Sequence, residues 1–398
     1  MHVVIVTRIY APESAAAAYR LAALADSLVA GGHDVTVLTS TAPSSVSGTD
    51  RPGTAREHAR IRIRRWPVKR NRDGQVRGYL SYMSFDAPAL VRLLALRRVD
   101  LVISEPPPTT GFVVTLAAAL KRVPHIHYAA DCWSDATAAA GAPVAVVRFV
   151  RYLESATLRR AAHVVTVNES IAARLAELNP TARITVVGNG VDTQVFRADG
   201  PTRVQPRPYV VYAGTTSEWQ GAGVLIDAWA RVVEVHPDVD LVFIGGGTEW
   251  ESLHARARAA SLAHRVSFIP TVPALEAAAW LRSARASVVS LRPGLGYDYA
   301  LPTKVLASLA SGTPVVFSGE GVTRQWLAAM PTEIAGGSSG VGAAAVDVAA
   351  ALIALLNSPP TAASRGRLAG WAAAVVSLSA VADRVLAVVD RIGARGSR

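Results

Sequence analysis

Gly245-Gly246-Gly247 closes a short apolar run, Leu241 to Ile244, and leads into a helical stretch. A glycine turn there lets backbone approach a phosphate, and the following helix N-terminus favours the negative charge. It also serves as an ordinary tight strand-to-helix turn, and both readings stand. Asp131 follows another short run, His125 to Tyr128, at its carboxyl end. A carboxylate there can orient a hydroxyl or support a developing positive charge; its alternative is to cap a helix. His127, inside the run, reads as a core histidine. Asp238-Val239-Asp240 has a spacing that can hold a divalent metal, but it directly precedes Leu241. That places it at the amino end of a strand, whereas ligands gather at the carboxyl end. The nine histidines are scattered, and the single cysteine, Cys132, excludes a disulfide framework and a Cys-based zinc site. No metal and no cofactor is expected. The loop after the first strand lacks Gly-x-Gly-x-x-Gly, which weighs against a nicotinamide or flavin site.

These residues need a scaffold, and the chain supplies one twice. His2 to Thr7 is β-branched, as a buried parallel strand should be. Ala15 to Ala30 carries Leu21, Leu24 and Leu28 on one helical stripe and ends at Gly31-Gly32; Asp34 to Leu38 is a second strand. Strand, helix, strand is a βαβ unit. The alternation continues through strands at Leu101–Ser104, His125–Tyr128, His163–Val167 and Ile184–Val187. Pro and Gly then cluster over 199–208, the composition of a linker. From Tyr209 the alternation restarts, with strands at Tyr209–Tyr212, Leu241–Ile244, Val266–Ile269, Ala286–Leu291 and Pro314–Phe317. The expected fold is α/β: two Rossmann-like domains, 1–198 and 209–372, facing a central cleft. A C-terminal helix over 373–398 is expected to return to the first domain.

The net charge is +11, and the half up to residue 200 holds +8 of it. Ten basic residues lie between Arg51 and Arg77 against Glu57 and Asp73. Such a run is either a solvated face or an attraction to an anionic membrane surface or acceptor. No aromatic-rich motif accompanies it, so nucleic acid is not an expected partner. The N-terminus does not read as a secretory leader, and no uncharged apolar run reaches the ~18 residues of a membrane span. A cytoplasmic location is expected, with the inner face of the membrane open through the basic segment.

Four segments carry a family resemblance across almost the whole chain. They are Gly31-Gly32-His33-Asp34-Val35-Thr36-Val37-Leu38; Tyr152-Leu153-Glu154-Ser155 with Leu158-Arg159-Arg160-Ala161; Asn189-Gly190-Val191-Asp192 with Phe196; and Gly312-Thr313-Pro314-Val315-Val316. In this order and spacing they resemble glycosyltransferase family 4, retaining enzymes of the GT-B fold. Asp131-Cys132-Trp133-Ser134-Asp135 with Gly141, then Gly214, Gln220 and Gly221, and Pro302-Thr303-Lys304 are similar to the branch that builds capsular and exopolysaccharide units.

The resemblance implies transfer of a sugar, most simply UDP-linked, from a nucleoside-diphosphate donor to a hydroxyl acceptor: a lipid-linked sugar, a glycan or a small molecule. It implies no metal and no protein nucleophile, only positioning and leaving-group stabilisation. Arg292 and Lys304 are the candidates for the diphosphate and, with Asp131, for the catalytic set. Gly214, Thr215, Gln220, Gly246, Thr271, Val272, Asp298 and Tyr299 are the donor-side candidates; Glu13, Arg20 and Trp133 the acceptor-side ones, with Arg20 read as exposed. The chain also departs from the family. Thr215 and Gln220 stand where Arg and Lys usually grip the diphosphate, and Tyr299 and Ala307 replace the usual pair of glutamates. Those departures keep two alternatives open, a non-catalytic paralogue that binds a partner and a sugar-nucleotide 2-epimerase.

Overall fold

The computed structural model describes residues 1–13, 15–42, 60–70, 76 and 79–396. Much of the basic segment Arg51–Arg77, namely 51–59, 71–75 and 77, lies outside the described residues. The chain divides into two compact units, 1–189 with 378–398, and 190–377. The Pro/Gly-rich stretch 199–208 lies within the second.

The first unit runs β1 (His2–Val6), α1 (Ala16–Ala30), β2 (Asp34–Ser40), β3 (Ile61–Trp66), α2 (Tyr79–Ala95), β4 (Leu101–Ser104), α3 (Pro108–Lys121), β5 (His125–Ala129), α4 (Trp133–Ala139), α5 (Val144–Arg160), β6 (His163–Thr166), α6 (Glu169–Leu178) and β7 (Ile184–Val186). Its sheet is parallel, in the order β3-β2-β1-β4-β5-β6-β7. The order reverses at β1 and β4, which makes their carboxyl ends the place for a ligand. The edge strand β3 exposes Arg62 and Arg64, charges that discourage pairing with another chain, and buries Trp66. Trp66 stacks on Phe85 of α2 with ring centroids 4.8 Å apart.

The second unit repeats the plan: β8 (Tyr209–Thr215), α7 (Gly223–Val235), β9 (Asp240–Gly246), α8 (Trp250–Ala259), β10 (Val266–Pro270), α9 (Ala274–Ser283), β11 (Ala286–Ser290), α10 (Thr303–Ala310), β12 (Val315–Ser318), α11 (Val322–Ala328), α12 (Thr332–Ala335), β13 (Ser339–Val341), α13 (Ala345–Asn357) and α14 (Ala362–Val376). Its sheet order is β10-β9-β8-β11-β12-β13. Successive side chains of a strand point to opposite faces, so β8 feeds two cores. Val210 and Tyr212 join Leu225 and Trp229 of α7 and Leu352 of α13. Tyr209 and Val211 join Trp280 of α9, Leu306 and Leu309 of α10 and Leu368 of α14.

The last helix, α15 (Leu378–Gly396), packs on α1 in the first unit. Ser27 donates to Asp383 at 2.6 Å, and His33 Nε2 lies 3.0 Å from an Asp390 carboxylate oxygen. Asp240, of the Asp-x-Asp pair, opens β9 and is held at 2.9 Å by Arg265. Among the described residues no three metal-ligating side chains converge, and no helix is long and apolar enough to cross a membrane.

Candidate active site

In the second unit the carboxyl ends of the strands carry one connected polar cluster. Pro302 fixes the backbone just before α10, so Lys304 falls in that helix's first turn. Its ammonium donates to the Tyr212 hydroxyl at 2.7 Å and to the Thr215 carbonyl at 3.3 Å, and lies 4.2 Å from the centre of the Tyr212 ring. Burial pulls the Lys304 pKa down to about 7. Tyr212 ends in the core and is raised well above the usual phenol range, chiefly by burial. Its hydroxyl donates to the Thr215 carbonyl at 2.6 Å and lies 3.0 Å from Gln220 Oε1.

Gln220 is buried, and both ends of its carboxamide are engaged. Its oxygen accepts from the Ser217 amide at 3.2 Å, and its amide donates to Thr215 Oγ1 at 3.2 Å. This capping box closes the single 3-10 turn Glu218–Gln220. Gln220 therefore shapes the loop that follows β8, and its side-chain groups are spent within that loop. Arg292 holds the same turn: its amide donates to the Trp219 carbonyl at 2.8 Å. Its half-exposed guanidinium lies 3.5 Å from Glu249 Oε1.

The three glycines after β9 have different neighbours. A Cβ on Gly245 would stand 2.1 Å from the Gly214 carbonyl oxygen, and one on Gly247 would stand 2.8 Å from Thr216 backbone. Both also have positive φ. Those two are required by the neighbouring strand end. Gly246 is open, its nearest neighbour being Thr271 Oγ1 at 3.9 Å from such a Cβ. Thr271 is exposed after β10, while Val272 leans on the core. Asp298 accepts from the Gly294 amide at 3.2 Å and tightens the loop before α10. Tyr299 follows it, half-buried, and Ala307 is buried in the core. The structure thus joins Gly214, Thr215, Gln220 and Lys304 directly, and ties Arg292 to them through the 218–220 turn.

In the first unit the residues converge at β1, β4 and β5. Arg20, read from sequence as exposed, is buried and ion-paired with buried Glu105. The Glu105 carboxylate, just after β4, neutralises a charge that would otherwise need water. Thr7 Oγ1 donates to Glu105 at 3.2 Å, and the Arg20 guanidinium lies 4.7 Å from the Tyr128 ring centre. Asp131 stands exposed beside this group. The surrounding protein holds its carboxyl above the usual range, Arg20 opposes the rise and Glu105 adds to it. Asp131 does not cap α4. Glu154 does, accepting from the amides of Trp133 at 2.9 Å and Ser134 at 3.2 Å. Trp133 meets Tyr82 edge-on at 6.4 Å. Glu13 pairs with Arg70 at 3.4 Å, and burial raises its carboxyl. His127 is a core histidine: Ser104 Oγ lies 2.9 Å from its Nδ1 and 2.7 Å from His125 Nε2.

Sequence reading missed Glu105, Glu154 and Tyr212. Glu105 carried a usable signal, since it ends a strand just as Asp131 follows one. Tyr212 and Glu154 did not, because their roles depend on partners far along the chain.

The residues 16–190 match the model of the glycosyl transferase 4-like domain, and 207–358 that of glycosyl transferases group 1. The chain is 30% identical over 232 residues to a glycogen synthase of Mycobacterium tuberculosis, covering 56% of this chain and 53% of that protein. It is 30% identical over 200 residues to a GDP-mannose-dependent alpha-(1-6)-phosphatidylinositol monomannoside mannosyltransferase of Mycolicibacterium smegmatis, covering 47% of this chain and 50% of that one. The chain thus spans about half the length of these curated relatives. The sucrose-phosphate synthase of Thermosynechococcus elongatus superposes with a TM-score of 0.73 at 16% identity, covering 99% of both chains. Anabaena HepE, solved with UDP, gives 0.69 at 14%, covering 98% of this chain and 100% of that one. The fold is that of these GT-B structures, and the two domain matches place a glycosyl transferase 4-like domain ahead of a glycosyl transferases group 1 domain in this chain.

Proposed function

We propose that the protein is a retaining glycosyltransferase that moves a sugar from a nucleoside diphosphate, most simply UDP, to a hydroxyl acceptor in glycan, glycolipid or secondary-metabolite synthesis. The observation that carries this is the Lys304 ammonium, set in the first turn of α10 and held at 2.7 Å by Tyr212. A diphosphate leaving group gains negative charge as the glycosidic bond breaks, and a fixed cation at a helix N-terminus stabilises that charge. Arg292, with its guanidinium half in solvent, supplies the second cation. Gly246 and Thr271 leave open backbone beside them for the donor. HepE, a structural neighbour, is described in complex with UDP, which supports the choice of nucleotide.

On the acceptor side we assign Asp131 to orient the attacking hydroxyl, steered by the charge of Arg20 and Glu105. The run Asp131-Cys132-Trp133-Ser134-Asp135 supports placing the acceptor in capsular or exopolysaccharide assembly. The two domains are assigned as in the family: residues 1–198 to the acceptor, 209–372 to the donor.

The test is turnover with a panel of UDP-, GDP- and ADP-sugars and a long-chain alkyl glycoside as acceptor. The proposal expects release of one nucleoside diphosphate for each sugar added to the acceptor mass. Recovery of the donor as its C2 epimer, with no diphosphate released, would replace this reading with an epimerase.

A further inference from the structure

The helix α5 presents a face that the chain leaves uncovered. Its second half buries one face, with Leu153, Glu154, Ala156, Thr157 and Leu158 in the unit's interior. Its first half does not: Val144 is 69% exposed, Val146 45%, Phe149 50% and Tyr152 59%. Val146, Phe149 and Tyr152 recur every third residue, so they form one ridge along the helix. Ala145, Arg148 and Arg151 share the same spacing and are exposed too, forming a second ridge beside it. Residues 141–153 contain no Asp or Glu. Among the described residues neither arginine is in an ion pair, although Arg151 feels the carboxylate of Asp135.

An apolar ridge with aromatic side chains, beside a basic ridge, has the chemistry of a helix lying in a membrane interface. The apolar side chains enter the acyl boundary, the aromatics sit at headgroup level, and the arginines meet anionic headgroups. Singly scattered apolar side chains need no explanation, but a contiguous row does. The net charge of +11 favours the same surface. The position fits as well. Helix α4 follows the carboxyl end of β5, and α5 starts from there, so its uncovered half lies at the end of the sheet that carries Asp131 and Arg20.

We propose that the first half of α5 docks the protein on bilayers containing anionic lipid, and that the acceptor hydroxyl is carried on a membrane lipid. The acceptor class rests on the transfer reading above; docking does not. The test is co-sedimentation of the full chain with vesicles of phosphatidylcholine alone and of phosphatidylcholine with phosphatidylglycerol in equal parts. The protein binds the mixed vesicles at least about tenfold more tightly than the neutral ones. Val146→Asp/Phe149→Asp and Arg148→Glu/Arg151→Glu each weaken binding to mixed vesicles at least about tenfold. Arg159→Glu/Arg160→Glu, the same charge change on exposed arginines at the other end of the helix, stays within about twofold. Each variant keeps the melting temperature of the parent and its response to nucleoside diphosphates, which separates loss of docking from misfolding or a failed donor site. Three results overturn the proposal: no binding of the parent to mixed vesicles; equal loss from both arginine pairs; or a parent dimer that Val146→Asp/Phe149→Asp converts to monomer, which would make a second copy the occupant of this face.

Discussion

Lys304 lies across the face of Gly214, so closely that a methyl group on Gly214 would come within 2.9 Å of its Cε and 3.1 Å of its Nζ. The glycine's role is therefore to give the lysine its path to Tyr212 and Thr215. Gly214 also has φ +144, a conformation other residues adopt only with strain.

That relationship separates two glycines of the second unit. Gly214→Ala should displace Lys304, weaken nucleoside-diphosphate binding at least about tenfold and destabilise the fold by about 1–3 kcal/mol. Gly246→Ala has open space and should change stability by no more than about 0.5 kcal/mol. If the donor passes over Gly246, this variant still binds diphosphate more weakly. Melting curves and titration of both variants check the contrast.

The lowered pKa of Lys304, about 7, gives diphosphate binding a pH dependence. Only the protonated lysine attracts the phosphates, so affinity should fall as pH rises above 7, approaching about tenfold per pH unit. Binding should take up a proton in that range. The lysine's effect on stability has the opposite sign to its effect on binding. Between about 7 and its unfolded value the unfolded chain holds more protons, so this group favours the folded state more as pH rises. Titration calorimetry in buffers of different ionisation enthalpy reads the proton uptake, and Lys304→Met should abolish it.

Arg20 and Glu105 form a buried pair, and removing one partner leaves a charge without compensation. Arg20→Met should cost about 3–5 kcal/mol, far beyond an exposed arginine. Replacing both, as Arg20→Met/Glu105→Leu, should recover much of that loss. A double-mutant cycle from chemical denaturation measures it, and an additive result would mean the two side chains do not interact.

His125 and His127 are buried neutral, with burial lowering their pKa values to about 3 and about 4. The unfolded chain binds protons at both near 6.5, so stability from this pair is lost as pH falls from about 6.5 toward 4. The melting temperature should drop steeply over that window with an uptake approaching two protons on unfolding.

The strands and most helices of both units were legible because parallel strands buried on both faces read as unbroken β-branched runs, and the helices between them keep a 3.6-residue stripe. β3 and β13 were not: Arg62, Arg64 and Arg65 of β3 read as a charge run, since an edge strand carries charge for its own protection, and the three residues of β13 lie in a Gly/Ser-rich stretch without a strand pattern. α2 was missed too, with Pro88 interrupting its pattern. The candidate site residues were legible by position alone: Asp131 follows β5, Gly214 lies near the end of β8 and Lys304 opens α10. Their environments were not. Arg20 is buried because Glu105 lies 85 residues away along the chain. Gln220 is committed because Tyr212 reaches back to it, and the cap of α4 comes from Glu154 in the next helix. Such pairings need the fold, because short-range pattern carries no record of them.

The most direct test of the central claim is the melting temperature of the protein with UDP, GDP, ADP, CDP and dTDP. One diphosphate at about 100 times its dissociation constant should stabilise the fold by about 2.7 kcal/mol. Lys304→Ala should remove that response while the unliganded protein still folds. If none of the five shifts the melting temperature, or if Lys304→Ala keeps the full shift, the cluster around Lys304 is not the donor site.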